Sequence, residues 1–452
     1  MKNSTNQSIK PITTRRNDYG YLEIGGCDLT ELANKYATPL YVIDETTLRA
    51  VCNDYKDAFK DYEKINFMYA SKALCTSAIT KIVASEGLGF DVVSGGEIYT
   101  VYKTGVDMKK VLFNGNNKTI DELTLAIETG VGHISVDNFL ELTMLNEIAK
   151  SYNKTVDIFL RVTPAIECHT HEYIKTGNLD SKFGFDLSQV DEAIELIKDE
   201  YTNLNLCGLH AHIGSQIFET QVYHDEIDIL ITELVRIEKK HGIKLDEINI
   251  GGGLGVKYVD SDVPPSTHKI AEVIINSIKL SCEKHKIDYP TIYLEPGRSI
   301  ISTSGVTLYT IGSQKQVPNG TKYVAVDGGM ADNPRPSMYQ AEYTAEIVNK
   351  PEQEDLQKVT VCGRYCESGD VIIKNIELPN PEAGDVLCVY NTGAYNYSMA
   401  SNYNRTQKPA MVLVNSGLSD IIVKRESLDD LLEHDVIPSR LKYDRWTICT
   451  IL

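Results

Sequence analysis

Five short stretches carry residue types that could do chemistry. "YASKA" ends a β-rich run on Lys72, an amine that desolvation would push down in pKa and turn into a Schiff-base former; a solvated lysine opening a helix is the alternative for that residue alone. "INIGGGLG" brings Gly251, Gly252, Gly253 and Gly255 together, either to close backbone N–H groups on a phosphate or only to make a tight turn, and the dinucleotide-binding spacing is not matched. "LEPGRSI" sets Glu295 and Arg298 around the Pro296–Gly297 turn, as a site pair or as a surface ion pair. "GLHAHIGSQI" puts His210 and His212 two apart on one strand face with Ser215 in the next turn. They would be metal ligands if Asp91 and Glu97 completed the set, or a flat ring against a planar cofactor with Ser215 on its phosphate. "VCGRYCESGD" holds Cys362 and Cys366 four apart with Glu367 beside the second, open to a metal clip, a redox pair, or one reactive thiol with a structural neighbour.

No one of these motifs decides the chemistry, but their conjunction does. An amine, phosphate-binding turns, an aromatic ring and a carboxylate are what an aldehyde cofactor with a phosphate and a pyridine ring requires. The runner-up is a metal-dependent barrel hydrolase built on His210 and His212. A non-catalytic cofactor carrier is a third reading.

The elements that must position these groups are legible as a period. From about Asn66, eight β-rich runs alternate with amphipathic stretches: "NFMYAS", "GFDVVS", "VLFNGN", "HISVDN", "VDIFLRVTP", "LCGLHAHIG", "EINIGGG" and "TIYLEPG". Thr119 with Glu122, and Ser188 with Asp191, read as helix starts between them. Eight βα units predict an α/β fold with a (β/α)8 TIM-type barrel, whose reactive groups sit at the carboxyl ends of the strands. Past Ile301 the runs "KYVAVDGG", "YTAEIV", "QKVTVCG", "DVLCVYN" and "PAMVLV" are punctuated by Gly, Pro and Asn, which predicts a C-terminal all-β barrel or sandwich. The expected organisation is a flexible leader over 1–16, a segment over 17–40 contributing to the β domain, the barrel over 41–302, and the β domain over 303–452.

Composition narrows the partners. Lysine and arginine total 45 against 63 acids in 452 residues, a formal charge of -18 that repels phosphate polymers and anionic membranes, so no nucleic acid and no membrane is expected. The N-terminus has no apolar signal core and no run is long enough to span a bilayer, which predicts a cytoplasmic chain. Ten cysteines in such a chain read as reduced thiols, and this weakens the redox pair.

"YASKA", "FDVVSGGE", "HIGSQ", "GGGLG", "EPGR" and "CESGD" resemble the fold type III, alanine-racemase-like PLP-dependent decarboxylases. "HEYIKTGNLDSKFG", "DNPRPSMY" and "NTGAYNYSMASNYN" are similar to the diaminopimelate decarboxylases among them, and the resemblance runs from about Gly20 to near the C-terminus. It implies that pyridoxal 5'-phosphate is the cofactor, that Lys72 carries it covalently and that His212 stacks on its ring. It further implies that Ser215, Gly253, Gly297 and Arg298 hold its phosphate, that Glu295 pairs with the ring nitrogen, and that Asp91 and Arg161 support cofactor and lysine. Arg298, Arg335, Tyr339 and Glu367 are implied to bind the distal end of the substrate, with Tyr395 touching both cofactor and substrate. Cys366 is implied to be the proton donor, reaching the site from the second subunit of a homodimer, which leaves Cys362 a packed small residue, and no metal is expected. The implied reaction converts meso-2,6-diaminopimelate to L-lysine and CO2, the last step of lysine biosynthesis. Members acting on ornithine or arginine are the nearest alternative. Asn396 departs from the pattern, standing where a small residue, often glycine, is expected after Tyr395.

Overall fold

A computed structural model of the chain describes residues 4–164, 181–318, 320–350 and 356–441, so "HEYIKTGNLD" lies outside the described residues. Eight parallel strands form the barrel: β1 (Ile65–Ala70), β2 (Gly89–Val92), β3 (Val111–Phe113), β4 (His133–Val136), β5 (Val156–Thr163), β6 (Leu204–His210), β7 (Glu247–Asn249) and β8 (Thr291–Leu294). They pair in chain order, and Ile292 opposite Ile65 returns β8 to β1, which closes the sheet. The strands are short apolar runs because a parallel sheet wrapped in helices is buried on both faces; Val111, Leu112 and Phe113 are fully buried.

Six of the helices start where the sequence supplies a side-chain acceptor for their orphan N–H groups. Thr119 and Glu122 make the expected capping box, while Asp44, Thr76, Ser94, Asn138 and Ser266 cap five others. The start expected at Ser188 differs. The helix Val190–Asp199 follows a tight turn over Leu187–Gln189, and the cap is Asp186, whose carboxylate accepts from the Ser188 N–H at 2.9 Å.

The second body is a β-rich sheet around the long strand Gly305–Gln316. That strand pairs antiparallel with Leu40–Asp44, Lys322–Val326 and Val386–Val389, and a bulge between Ile311 and Gln314 bends it. Leu40–Asp44 straddles the expected boundary at 41 and lies in this sheet, parallel to Ala410–Asn415. Leu22, Ile24, Leu29 and Leu32 share a core with Val306, Val386 and Val412.

The segment expected as a loose leader is docked where it is described. Asn6 is buried and donates to the carbonyls of Gly255 and Pro265, and Ser4 hydrogen bonds Thr267 and Asp54. Its polarity suggested solvent; instead its amides and hydroxyls satisfy loop carbonyls and helix-end groups of the barrel.

Candidate active site

The carboxyl ends of the barrel strands converge on one cavity with ≈ 420 Å³ of open space, mouth included, lined by Lys72, His212, Ser215, Gly253, Glu295, Gly297, Arg298 and Tyr395. Lys72 lies in the turn after β1 and is accessible through this cavity. Burial alone would lower its pKa, as expected from sequence. The carboxylate of Asp91, with Tyr395 and Glu295, outweighs burial and the repulsion of Arg161, so the net shift is upward.

Glu295 is the most constrained group. Asn114 and Asn249 donate to its Oε1 at 2.9 and 2.7 Å, and His210 Nε2 stands 3.5 Å from Oε2. Burial opposes its ionisation, but the close approach of His210, then the charge of Lys72, hold it well below the ordinary carboxylate range. Asp91 shifts the other way, raised by burial and by Glu295, with Asn114 at 2.7 Å and its Oδ2 buried without a hydrogen-bond partner. Two carboxylates in one pocket are thereby driven apart, one fixed as the anion.

His210 and His212 do not act as a pair. His210 binds Ser135 Oγ through Nδ1 at 2.7 Å and faces Glu295 with its other nitrogen. His212 accepts from the Gly252 N–H at 3.2 Å, and burial with nearby Lys72 and Arg161 keeps its ring neutral. Among the described residues no trio with metal-ligand spacing includes either histidine, and Glu97 is taken up by the Val93 N–H at 2.7 Å. The metal reading finds no support there.

Ser215, Gly253 and the Gly297–Arg298 turn form one wall. Arg298 donates to Ser215 Oγ at 3.2 Å and to Tyr258 Oη at 2.8 Å. Gly253 has φ +105°, and a Cβ there would lie 2.6 Å from the Gly214 carbonyl, so only glycine lets the backbone close this wall. Arg161 is buried against the Phe183 ring, 3.9 Å from Asp137.

Tyr395 projects between two cations, with the guanidinium carbons of Arg298 and Arg335 at 4.8 and 5.3 Å from its ring centre. It sits at φ +69°, held by its N–H on the Ala73 carbonyl at 2.8 Å. Arg335 also lies 5.5 Å over the Tyr339 ring, and its Nε is buried without a partner. Asn396 takes the Tyr343 hydroxyl at 3.3 Å, and Tyr343 in turn supports Arg335. Cys366 and Glu367 are outside the cavity and exposed in the single chain. Cys362 ends a strand with its thiol toward the Val324 carbonyl, and the eight described cysteines are all free.

An ionised carboxylate at the base, a cationic and glycine-lined wall, and an amine between them fit a phosphorylated pyridine aldehyde. Asn114, Asn249, Tyr258 and Tyr343 complete the site and were not singled out from sequence. Asn114 and Asn249 stood in plain view at the ends of "VLFN" and "EIN", where asparagine reads as a turn residue.

Residues 46–302 match the family model described as "Pyridoxal-dependent decarboxylase, pyridoxal binding domain", so the barrel is that of a pyridoxal-dependent decarboxylase. Diaminopimelate decarboxylase of Synechocystis sp. is 47% identical over 448 residues, 97% of this chain and 95% of that protein. The Bacillus subtilis enzyme of the same name is 44% identical, covering 94% of this chain and 97% of its own. The crystal structure of diaminopimelate decarboxylase from M. jannaschii in complex with L-lysine superposes with a TM-score of 0.90 at 36% identity, over 96% of this chain and 100% of that one. The chain belongs to the diaminopimelate decarboxylase family.

Proposed function

We propose that the chain removes CO2 from the α-carbon of meso-2,6-diaminopimelate and leaves L-lysine, with Lys72 as the covalent anchor of pyridoxal 5'-phosphate. The observation that carries this reading is the convergence of Lys72, Glu295, Ser215, Gly253 and Arg298 on one cavity at the barrel mouth. When bound, the cofactor supplies a sink for the electron pair left behind by CO2.

The chain's own residues set the conditions for that sink. Glu295, ionised, would hold a proton on the cofactor's ring nitrogen, which a cation at that position would not do. Neutral His212 offers a flat face, while Ser215, Gly253, Gly297 and Arg298 take the phosphate. Asp91 holds Lys72, and Arg161 stands behind.

The substrate's far end carries a carboxylate and an ammonium. Arg298 and Arg335, beside Tyr339 and Tyr395, suit the first, and Glu367 suits the second. Ornithine and arginine have no distal carboxylate to occupy Arg335. Cys366 returns a proton to the α-carbon from the neighbouring subunit of a homodimer; its exposure, with that of Glu367, in the single chain supports this arrangement. We assign 41–302 to the cofactor domain, less the end of the strand Leu40–Asp44, which with 17–40 joins the β domain of 303–452. No helix among the described residues is long and apolar enough to cross a membrane, and we assign the enzyme to the cytoplasm.

The test is a spectrum followed by an assay. Purified protein should absorb in the visible, bleach with borohydride leaving the label on Lys72, and release CO2 from meso-diaminopimelate but not from lysine, ornithine or arginine. Colourless protein indifferent to added pyridoxal phosphate, or faster release from ornithine, would overturn the reading.

A further inference from the structure

Far from the cavity, at the amino-terminal floor of the barrel, His133, Cys207 and Glu247 come together from three strands. His133 opens β4, Glu247 opens β7, and Cys207 lies in β6 three residues before His210, about 10 Å below the catalytic end at strand rise. One ligand atom from each lies within 4.8 Å of the other two. None of the three lines the catalytic cavity.

Three local features aim these side chains. The β5–β6 register steps from Leu206 opposite Ile158 to Gly208 opposite Phe159, so Cys207 is the extra residue of a bulge and its side chain is redirected. At Gly208 a Cβ would lie 2.0 Å from the Glu247 carbonyl, so β6 and β7 approach closely where the thiol and carboxylate meet. The His133 ring is clamped, stacked on Phe159 at 5.0 Å and edge-on to Tyr293 at 5.4 Å.

The floor also has unmet bonding capacity. Glu247 Oε2 is buried, stands 3.2 Å from His133 Nε2 and makes no hydrogen bond, while Oε1 accepts from the Tyr293 hydroxyl at 3.4 Å. We infer that His133 Nε2, Cys207 Sγ and Glu247 Oε2 form a site for a thiophilic divalent cation of the zinc type. One nitrogen, one sulfur and one oxygen ligand suit such an ion with water in a fourth position, and a thiol argues against magnesium or calcium. Tyr293 would orient the carboxylate from outside the ligand set.

The carboxylates of Asp157 and Glu247 near the thiol attract a cation, which binds with loss of the thiol proton to solvent. The ion ties β4 to β6 and β7 across the barrel floor, where groups serve stability and not catalysis. Side-chain exposures of 15% for His133 and 20% for Glu247 leave a path for the ion to enter.

Cobalt(II) is the probe. Holoenzyme stripped with a chelator is titrated with Co2+, and the expected result is a thiolate-to-metal band in the near ultraviolet with visible d–d bands, saturating at one equivalent per chain. Cys207→Ser should abolish the thiolate band and weaken binding at least tenfold. His133→Gln should weaken binding similarly, and Cys362→Ser should change neither. Zn2+ should raise the melting temperature of the parent protein and not of Cys207→Ser. Circular dichroism and cofactor loading establish that each variant folds; if Cys207→Ser does not fold, His133→Gln decides the outcome. Absence of the thiolate band at one equivalent, its survival in Cys207→Ser, undiminished binding in His133→Gln, or its loss in Cys362→Ser, overturns the assignment.

Discussion

Asn114 Nδ2 donates to Glu295 Oε1 at 2.9 Å, and the same nitrogen donates to Asp91 Oδ1 at 2.7 Å. An amide nitrogen has two hydrogens and no acceptor capacity, so it satisfies two neighbouring carboxylates without delivering a proton to either. Asn249 adds a second donor to Glu295 and is itself fixed by the Gly251 N–H at 2.8 Å. The charge at the base of the cavity depends on side chains that need not touch the cofactor.

Asn114→Leu should therefore weaken cofactor binding. Hydrogen bonds to charged groups are worth about 1.5–3 kcal/mol, which corresponds to roughly 10–100-fold in affinity. Fluorescence titration of apoprotein with pyridoxal phosphate reads the loss directly. Asn114→Asp instead sets a third carboxylate beside two others, so its loading should improve as pH falls while the parent's does not. Unchanged affinity in Asn114→Leu would show that Asn249 and His210 suffice.

Arg335 belongs to a chain that runs through Tyr343 to Asn396. Arg335→Ala should raise KM for meso-diaminopimelate by about 100-fold with cofactor loading unchanged, the loss of a buried charge-assisted pair. Asn396→Gly, acting at one remove, should raise KM by less than about tenfold, within the worth of one hydrogen bond. Steady-state kinetics alongside the visible spectrum separate the two effects, and equal loss of loading and KM would count against a distal role.

Cys366 and Glu367 are exposed on a loop whose Cys366 N–H is held by Asn404 at 3.1 Å. If they complete a neighbour's site, mixing inactive Lys72→Ala with inactive Cys366→Ala chains should recover up to about one quarter of parental activity per site, the share expected when one intact pairing forms in random dimers. No recovery despite demonstrated subunit exchange would place Cys366 in its own chain's chemistry.

The barrel was legible because its signal is local. Each of the eight apolar runs sits on a strand, since parallel strands buried on both faces permit little else. Residue identity also pointed to Lys72, Glu295 and the Gly253 turn, because strand ends in this architecture share one mouth. What escaped was relational. The direction of the Lys72 shift depends on Asp91 and Glu295, which are close only after the barrel closes. Asp186, not Ser188, caps its turn because its carboxylate accepts from both the N–H and the hydroxyl of Ser188, which makes Ser188 a donor there. The polar leader gave no sign of its docking, because the carbonyls it satisfies lie some 250 residues away in sequence.

Glu226 carries the last prediction. It lies on the helix Gln221–His241, is fully buried, and neither carboxyl oxygen has a hydrogen-bond partner. Burial, then Glu295, raises its pKa well above the ordinary value, so the folded chain keeps a proton that the unfolded chain releases near pH 4.3. The folded state then binds more protons, and stability falls as pH rises from that value through the raised one, by up to about 1.4 kcal/mol per pH unit. Glu226→Gln has no proton to lose. Its melting temperature should match or trail the parent's at pH 5, where the parent carboxyl is largely neutral in the fold at little cost. By pH 8 it should exceed the parent's, at about 2–4 °C for each kcal/mol recovered. Melting curves of the two proteins across that interval decide the matter, because groups common to both cancel in the difference; parallel curves would mean that Glu226 is ionised and solvated in the fold.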